Sequence, residues 1–100
     1  MGFKIVFTKP ALADLSALVT FIGHDNPQAA EQFGYAIIAR AEKLDEFPLL
    51  GRVVPEFKIE NIREIIHRPY RIVYRMRDDQ KLIEILRVWH AARGTLRIHE

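Results

Sequence analysis

The chain has 100 residues, 49% of them hydrophobic and 28% charged, with a net charge of +2 and no cysteine. That length fits one small domain spanning residues 1–100 with one core, and the composition excludes a disordered chain. Disulfide staples and thiolate zinc sites are excluded, and no apolar run approaches the roughly 20 residues needed to span a bilayer.

The charge is unevenly spread. Residues 1–50 hold four Lys/Arg against six Asp/Glu, whereas residues 51–100 hold eleven against seven. A basic second half reads either as a surface for a polyanionic or acidic partner or as an ordinary solvated face. The N-terminus Met-Gly-Phe-Lys-Ile-Val-Phe has neither the apolar core nor the cleavage site of a signal peptide, so a soluble cytoplasmic protein without membrane partners is expected.

Phe3 to Phe7 reads as a strand. Thr8 offers an N-cap hydroxyl, and Pro10 is tolerated in a first helical turn. Leu12, Leu15, Leu18, Val19 and Ile22 follow at helical spacing, with Asp14 and Ser16 on the other face, so helix one should end near Gly23–His24. Asn26 caps a second helix and Pro27 suits its first position. Ala30, Phe33, Ile37, Ala41 and Leu44 mark its buried face, and Pro48 ends it. So short a turn makes the two helices an antiparallel hairpin.

Residues 48–61 are a loop punctuated by Pro48, Gly51 and Pro55. Strands are expected at Ile62–Arg68, Tyr70–Arg77 and Leu82–His90, giving β-α-α-β-β-β, an α+β sandwich of a helical hairpin on an antiparallel sheet. In the last hairpin Arg75 opposes Glu84, Tyr74 opposes Ile85 and Met76 opposes Ile83. Beyond them the alternation slips. Either a β-bulge near Leu86 restores it, or the sheet is buried on both faces. The bulged register sets Ile72 against Val88 and Tyr70 against His90, and brings Arg71 beside Trp89 on the open face.

A chain of spaced motifs carries a resemblance. Pro10-Ala11-Leu12-Ala13-Asp14-Leu15 lies on helix one. Asn26-Pro27 opens helix two, followed by Ala29-Ala30 and Phe33. Phe47-Pro48, Gly51-Arg52 and Pro55 come next, then Tyr70-Arg71-Ile72-Val73-Tyr74, Val88-Trp89-His90 and Arg93. In order and spacing, residues 8–93 resemble the RelE/ParE toxin family of type II toxin–antitoxin systems, the plasmid stabilisation proteins. The resemblance implies the RelE-like fold, a four-stranded antiparallel sheet in the order 1-4-3-2 with the first strand beside the last. It also implies a toxin neutralised by a cognate antitoxin from the same operon, with higher-order toxin–antitoxin complexes among its assemblies. Of the family's two main activities, ribosome-associated mRNA cleavage, that of the RelE-like branch, is the expected one, and inhibition of DNA gyrase by the non-enzymatic ParE-like branch is the alternative. A degenerate member would keep only antitoxin binding.

Arg71 and His90 stand at positions similar to catalytic ones in an RNase subgroup, and Glu56 is the candidate for its glutamate. Where that subgroup has a tyrosine after its histidine, this chain has Ala91. A metal-free endoribonuclease needs a base for the ribose 2′-OH, positive charge on the phosphate and an acid for the leaving oxygen. Glu56 would be the base, Arg71 the clamp and His90 the acid. His90 is equally a structural histidine at a strand end. Tyr70, Arg75, Arg87 and Arg93 beside Trp89 would bind phosphate and stack a base, or Trp89 fills core. Arg52 caps helix two or touches phosphate. His24, His67 and His99 form no metal-ligand pattern, and no metal or cofactor is expected.

Overall fold

A computed structural model describes residues 2–98. The elements are β1 (Lys4–Phe7), α1 (Lys9–Gly23), α2 (Pro27–Glu42), β2 (Arg52–Val53), β3 (Ile62–His67), β4 (Tyr70–Arg77) and β5 (Leu82–His90). Thr8 caps α1 by accepting the Ala11 N–H at 3.3 Å, and its hydroxyl donates toward the carbonyls of Ile85 (3.0 Å) and Leu86 (3.2 Å). One side chain therefore starts the helix and ties it to β5. Asn26 caps α2 through the Ala29 N–H at 3.0 Å.

Helix α2 stops earlier than Pro48. It ends at Glu42 and tightens into a 3-10 turn, Lys43–Asp45. The Asp45 carbonyl then accepts the Phe3 N–H at 3.0 Å, a bond that pins the start of the chain. Leu44 still reaches the core and is fully buried. Leu12 does not: at 51% exposure it sits at the edge of the buried arc that Ala11 and Leu18 define.

The sheet has five strands in the order β1-β5-β4-β3-β2, not four in the order 1-4-3-2. The added strand is Arg52–Val53, which pairs with Glu64 and Arg63 of β3. Its approach requires Gly51, where a Cβ would stand 2.5 Å from the Glu64 carbonyl and 2.8 Å from the Tyr74 ring. Nor is the sheet wholly antiparallel, because β1 runs parallel to β5 and covers only Leu82–Ile85.

Strands β4 and β5 pair as Met76↔Ile83, Arg75↔Glu84 and Tyr74↔Ile85, then shift to Ile72↔Val88, Arg71↔Trp89 and Tyr70↔His90, leaving Leu86 as the extra residue. Both explanations of the apolar run hold together. One face, with Tyr70, Ile72, Tyr74 and Met76, packs under the helical hairpin against Leu18, Ile37 and Leu44. The other buries Val54, Ile62, Val73, Leu86 and Trp89 beneath Leu96 of the C-terminal segment, so Trp89 lies in a second core rather than on an open face. No helix of the described residues is long and apolar enough to cross a membrane.

Candidate functional site

Alternation along β4 sends Arg71 to the second face, where Glu64 of β3 and Glu56 of the preceding loop converge on it. Arg71 donates Nε to Glu64 at 2.5 Å and both Nη atoms to the two oxygens of Glu56 at 2.7 Å. Arg52 donates Nε to the other Glu64 oxygen at 2.7 Å. The Glu64 side chain is fully buried, whereas Arg52 is 63% exposed. The hydrogen bonds from Arg71 hold the Glu56 carboxyl below its ordinary range, and Glu56 in turn pushes the guanidinium further up. This cluster opens on a groove of about 820 Å³ lined by Arg52, Pro55, Glu56, Ile66, Arg68, Pro69, Tyr70, Arg71 and Ala91.

His90 belongs to the other face. It pairs with Tyr70, and the two rings meet edge to face at 5.0 Å. Its Nδ1 accepts the Ala92 N–H at 3.0 Å, which selects the tautomer with the proton on Nε2. It faces a smaller concavity of about 300 Å³ with Asp14, Phe21 and Arg93. The structure thus brings Glu56 and Arg71 together and sets His90 apart from them. Tyr70 bridges the two regions. It is largely buried against Phe33 at 5.7 Å, and burial pushes its hydroxyl pKa up.

Arg75, Arg77, Arg87 and Arg93 are paired with carboxylates. Arg87, 3% exposed, donates Nε and Nη2 to Asp14 at 2.7 and 2.8 Å and Nη1 to the Arg97 carbonyl at 3.1 Å. Asp14 also accepts the Val88 N–H at 3.0 Å, capping the part of the β5 edge that β1 leaves uncovered. Trp89, 2% exposed, lies between Arg87 at 4.9 Å and Arg93 at 4.3 Å, so its ring offers no open platform for a base. Arg75 stands 3.5 Å from Glu84, which also takes Arg77 Nε at 2.8 Å. Arg93 keeps 48% exposure beside Asp14.

The residues missing from the sequence reading are Asp14 and Glu64. Asp14 lies inside a quoted motif, but the helical spacing puts it on the face of α1 opposite the leucines. Glu64 shares the parity of buried Ile62 in β3, a local sign that its carboxylate lies inside. Among the described residues no His, Asp and Glu groups converge to hold a metal ion, and His99 lies outside them.

The chain is a small α+β domain, a helical hairpin on a five-stranded sheet whose β4–β5 hairpin is rich in arginine. The sequence profile of the ParE toxin of the type II toxin–antitoxin system matches residues 5–94, and the chain belongs to this RelE/ParE family. It is similar to toxin RelE2 of Caulobacter vibrioides, with 36% identity over 91 residues that cover 90% of this chain and 97% of that one. Its fold is similar to the RelBE2 toxin–antitoxin complex of Mycobacterium tuberculosis (TM-score 0.66, 25% identity, 90% of this chain and 99% of that chain). It is also similar to the chromosomal ParDE system of P. aeruginosa (TM-score 0.71, 23% identity, 88% and 95% of the two chains).

Proposed function

We propose that this toxin acts by binding, as a ParE-like inhibitor of DNA gyrase, and is neutralised by a cognate antitoxin. The carrying observation is the division of the nuclease trio: Glu56 and Arg71 meet on one sheet face and His90 packs on the other. In-line cleavage requires base, clamp and acid to reach one phosphate together. The buried Trp89 and the carboxylate-held Arg87 further disfavour a surface that grips and stacks RNA. Phe21 and Tyr35, 78% and 66% exposed on the helical hairpin, give a protein target apolar anchors. Antitoxin binding draws support from the toxin–antitoxin complexes with which the fold is shared.

A second reading rests on the Glu56–Arg71 contact, which unites base and clamp in the groove: ribosome-associated mRNA cleavage. The test is expression without antitoxin, followed by plasmid topology and primer extension on mRNA. Relaxed plasmid with intact mRNA, retained in a folded His90→Gln variant, supports gyrase. Cut mRNA, with cleavage slowed on the order of 10²–10⁴ by His90→Gln, supports the nuclease.

A further inference from the structure

The groove at Arg71 already holds a ligand of its own chain. Arg71 has two counter-ions of different kinds. Glu64 is fully buried on β3 and bonds Nε, so it is a permanent partner. Glu56 takes the outer fork of the guanidinium bidentately from a loop, and its side chain is 33% exposed. The loop does not depend on that grip. Val54 is fully buried and accepts the Phe57 and Lys58 N–H groups at 3.2 and 3.0 Å, while Phe57 packs against the second core. The Glu56 side chain can therefore swing into water without unfolding its loop, and Glu64 keeps Arg71 compensated while it does so.

We infer that Glu56 occupies, in the isolated chain, the seat of a carboxylate from an acidic, apolar-flanked segment of a protein partner, which displaces it on docking in the groove. The outer fork of Arg71 has the shape for one planar carboxylate, as Glu56 demonstrates. Arg52 and Arg68 at the rim leave the groove basic once Glu56 departs. The remaining lining includes Pro55, Ile66 (41% exposed), Pro69 and Ala91, which suit the apolar flanks of a peptide. A nucleic acid strand would find no exposed aromatic face there, because Tyr70 is only 9% exposed. The exchange replaces one charge-assisted pair by another, so its net gain comes from the flanks. The inference rests on the groove and does not depend on gyrase being the target, whereas RNA seated at Arg71 would contradict it.

The experiment uses the full chain and three probes: a twelve-residue peptide of leucine and alanine with one central glutamate, the same peptide with glutamine, and a six-nucleotide RNA. Binding is followed by amide chemical shifts. The glutamate peptide should shift Arg71 and residues 54–58, and Glu56→Gln should tighten it about fivefold by removing the internal competitor. Arg71→Lys, which keeps the charge but loses the fork, should weaken it. Thermal melts and the amide spectrum establish that each variant is folded. Equal binding of both peptides, no binding, or an unchanged affinity in folded Glu56→Gln would overturn the inference. RNA binding at residues 54–58 and Arg71, tightened by Glu56→Gln in place of peptide binding, would overturn it in favour of a nucleic acid site. Gyrase inhibition is measured separately and can fail without touching these outcomes.

Discussion

Replacing Glu64 by glutamine should be a costly polar change on the second face. The carboxylate is fully buried and receives Arg71 Nε at 2.5 Å and Arg52 Nε at 2.7 Å. An amide offers one oxygen, so one guanidinium would meet an N–H₂ group instead of an acceptor. Breaking a buried pair typically costs about 3–5 kcal/mol. Arg71 keeps Glu56, and Arg52 is 63% exposed and can turn to water, so the loss should be roughly 2–3 kcal/mol. In a domain of this size that lowers Tm by roughly 10–20 °C. Urea denaturation of Glu64→Gln, Arg52→Gln, Arg71→Met and the two double variants gives the pairwise couplings. The Glu64–Arg71 coupling should reach about 2 kcal/mol, and the Glu64–Arg52 coupling should stay below about 1. A loss under about 0.5 kcal/mol for Glu64→Gln, within the range of ordinary surface changes, would refute the claim that this carboxylate organises the site.

Tyr74→Phe removes a hydroxyl that donates to the Pro48 carbonyl at 2.7 Å and accepts the Gly51 N–H at 3.0 Å, so it should cost about 1–3 kcal/mol and speed hydrogen exchange at Gly51. Leu44→Ala, at a fully buried position, should cost about 2–5 kcal/mol in urea unfolding; a smaller loss would mean the 3-10 turn does not seal the core. The Glu56 carboxyl is depressed below its ordinary 4.5, chiefly by Arg71. Its stabilisation is therefore fully present above pH 4.5 and is lost as pH falls through the lower folded value. Glu56→Gln should accordingly be less stable than the natural chain at neutral pH, with the gap closing below pH 4.5 in paired thermal melts. Phe21→Asp and Tyr35→Asp should weaken gyrase inhibition at least tenfold in a supercoiling assay while leaving Tm nearly unchanged, since both side chains are exposed.

Local chemistry made much of this molecule legible in its sequence. Thr8 and Asn26 cap helices because a side-chain oxygen needs only an amide three residues on. The β4–β5 register from Arg75 and Glu84 to Tyr74 and Ile85 followed from matching charge to charge and apolar to apolar across one hairpin, where a single wrong step turns every side chain over, and the slip at Leu86 was one of the two readings that matching left open. In the observed register the same alternation sends Arg71 and His90 to opposite faces, which the sequence reading of a single catalytic trio did not take into account. Long-range geometry decided the rest. Two-residue β2 carries no periodicity, and the close approach at Gly51 alone lets it join the sheet. Leu96 turned an apparent binding face into a second core and took Trp89 with it. Charge pairing was the least legible feature, because Coulomb attraction acts through space and carries no sequence spacing. Asp14 holds Arg87 across 73 positions, and Glu64 and Glu56 reach Arg71 from a strand and a loop. The sequence displayed an excess of arginine; only the tertiary structure determined which arginines already had carboxylates.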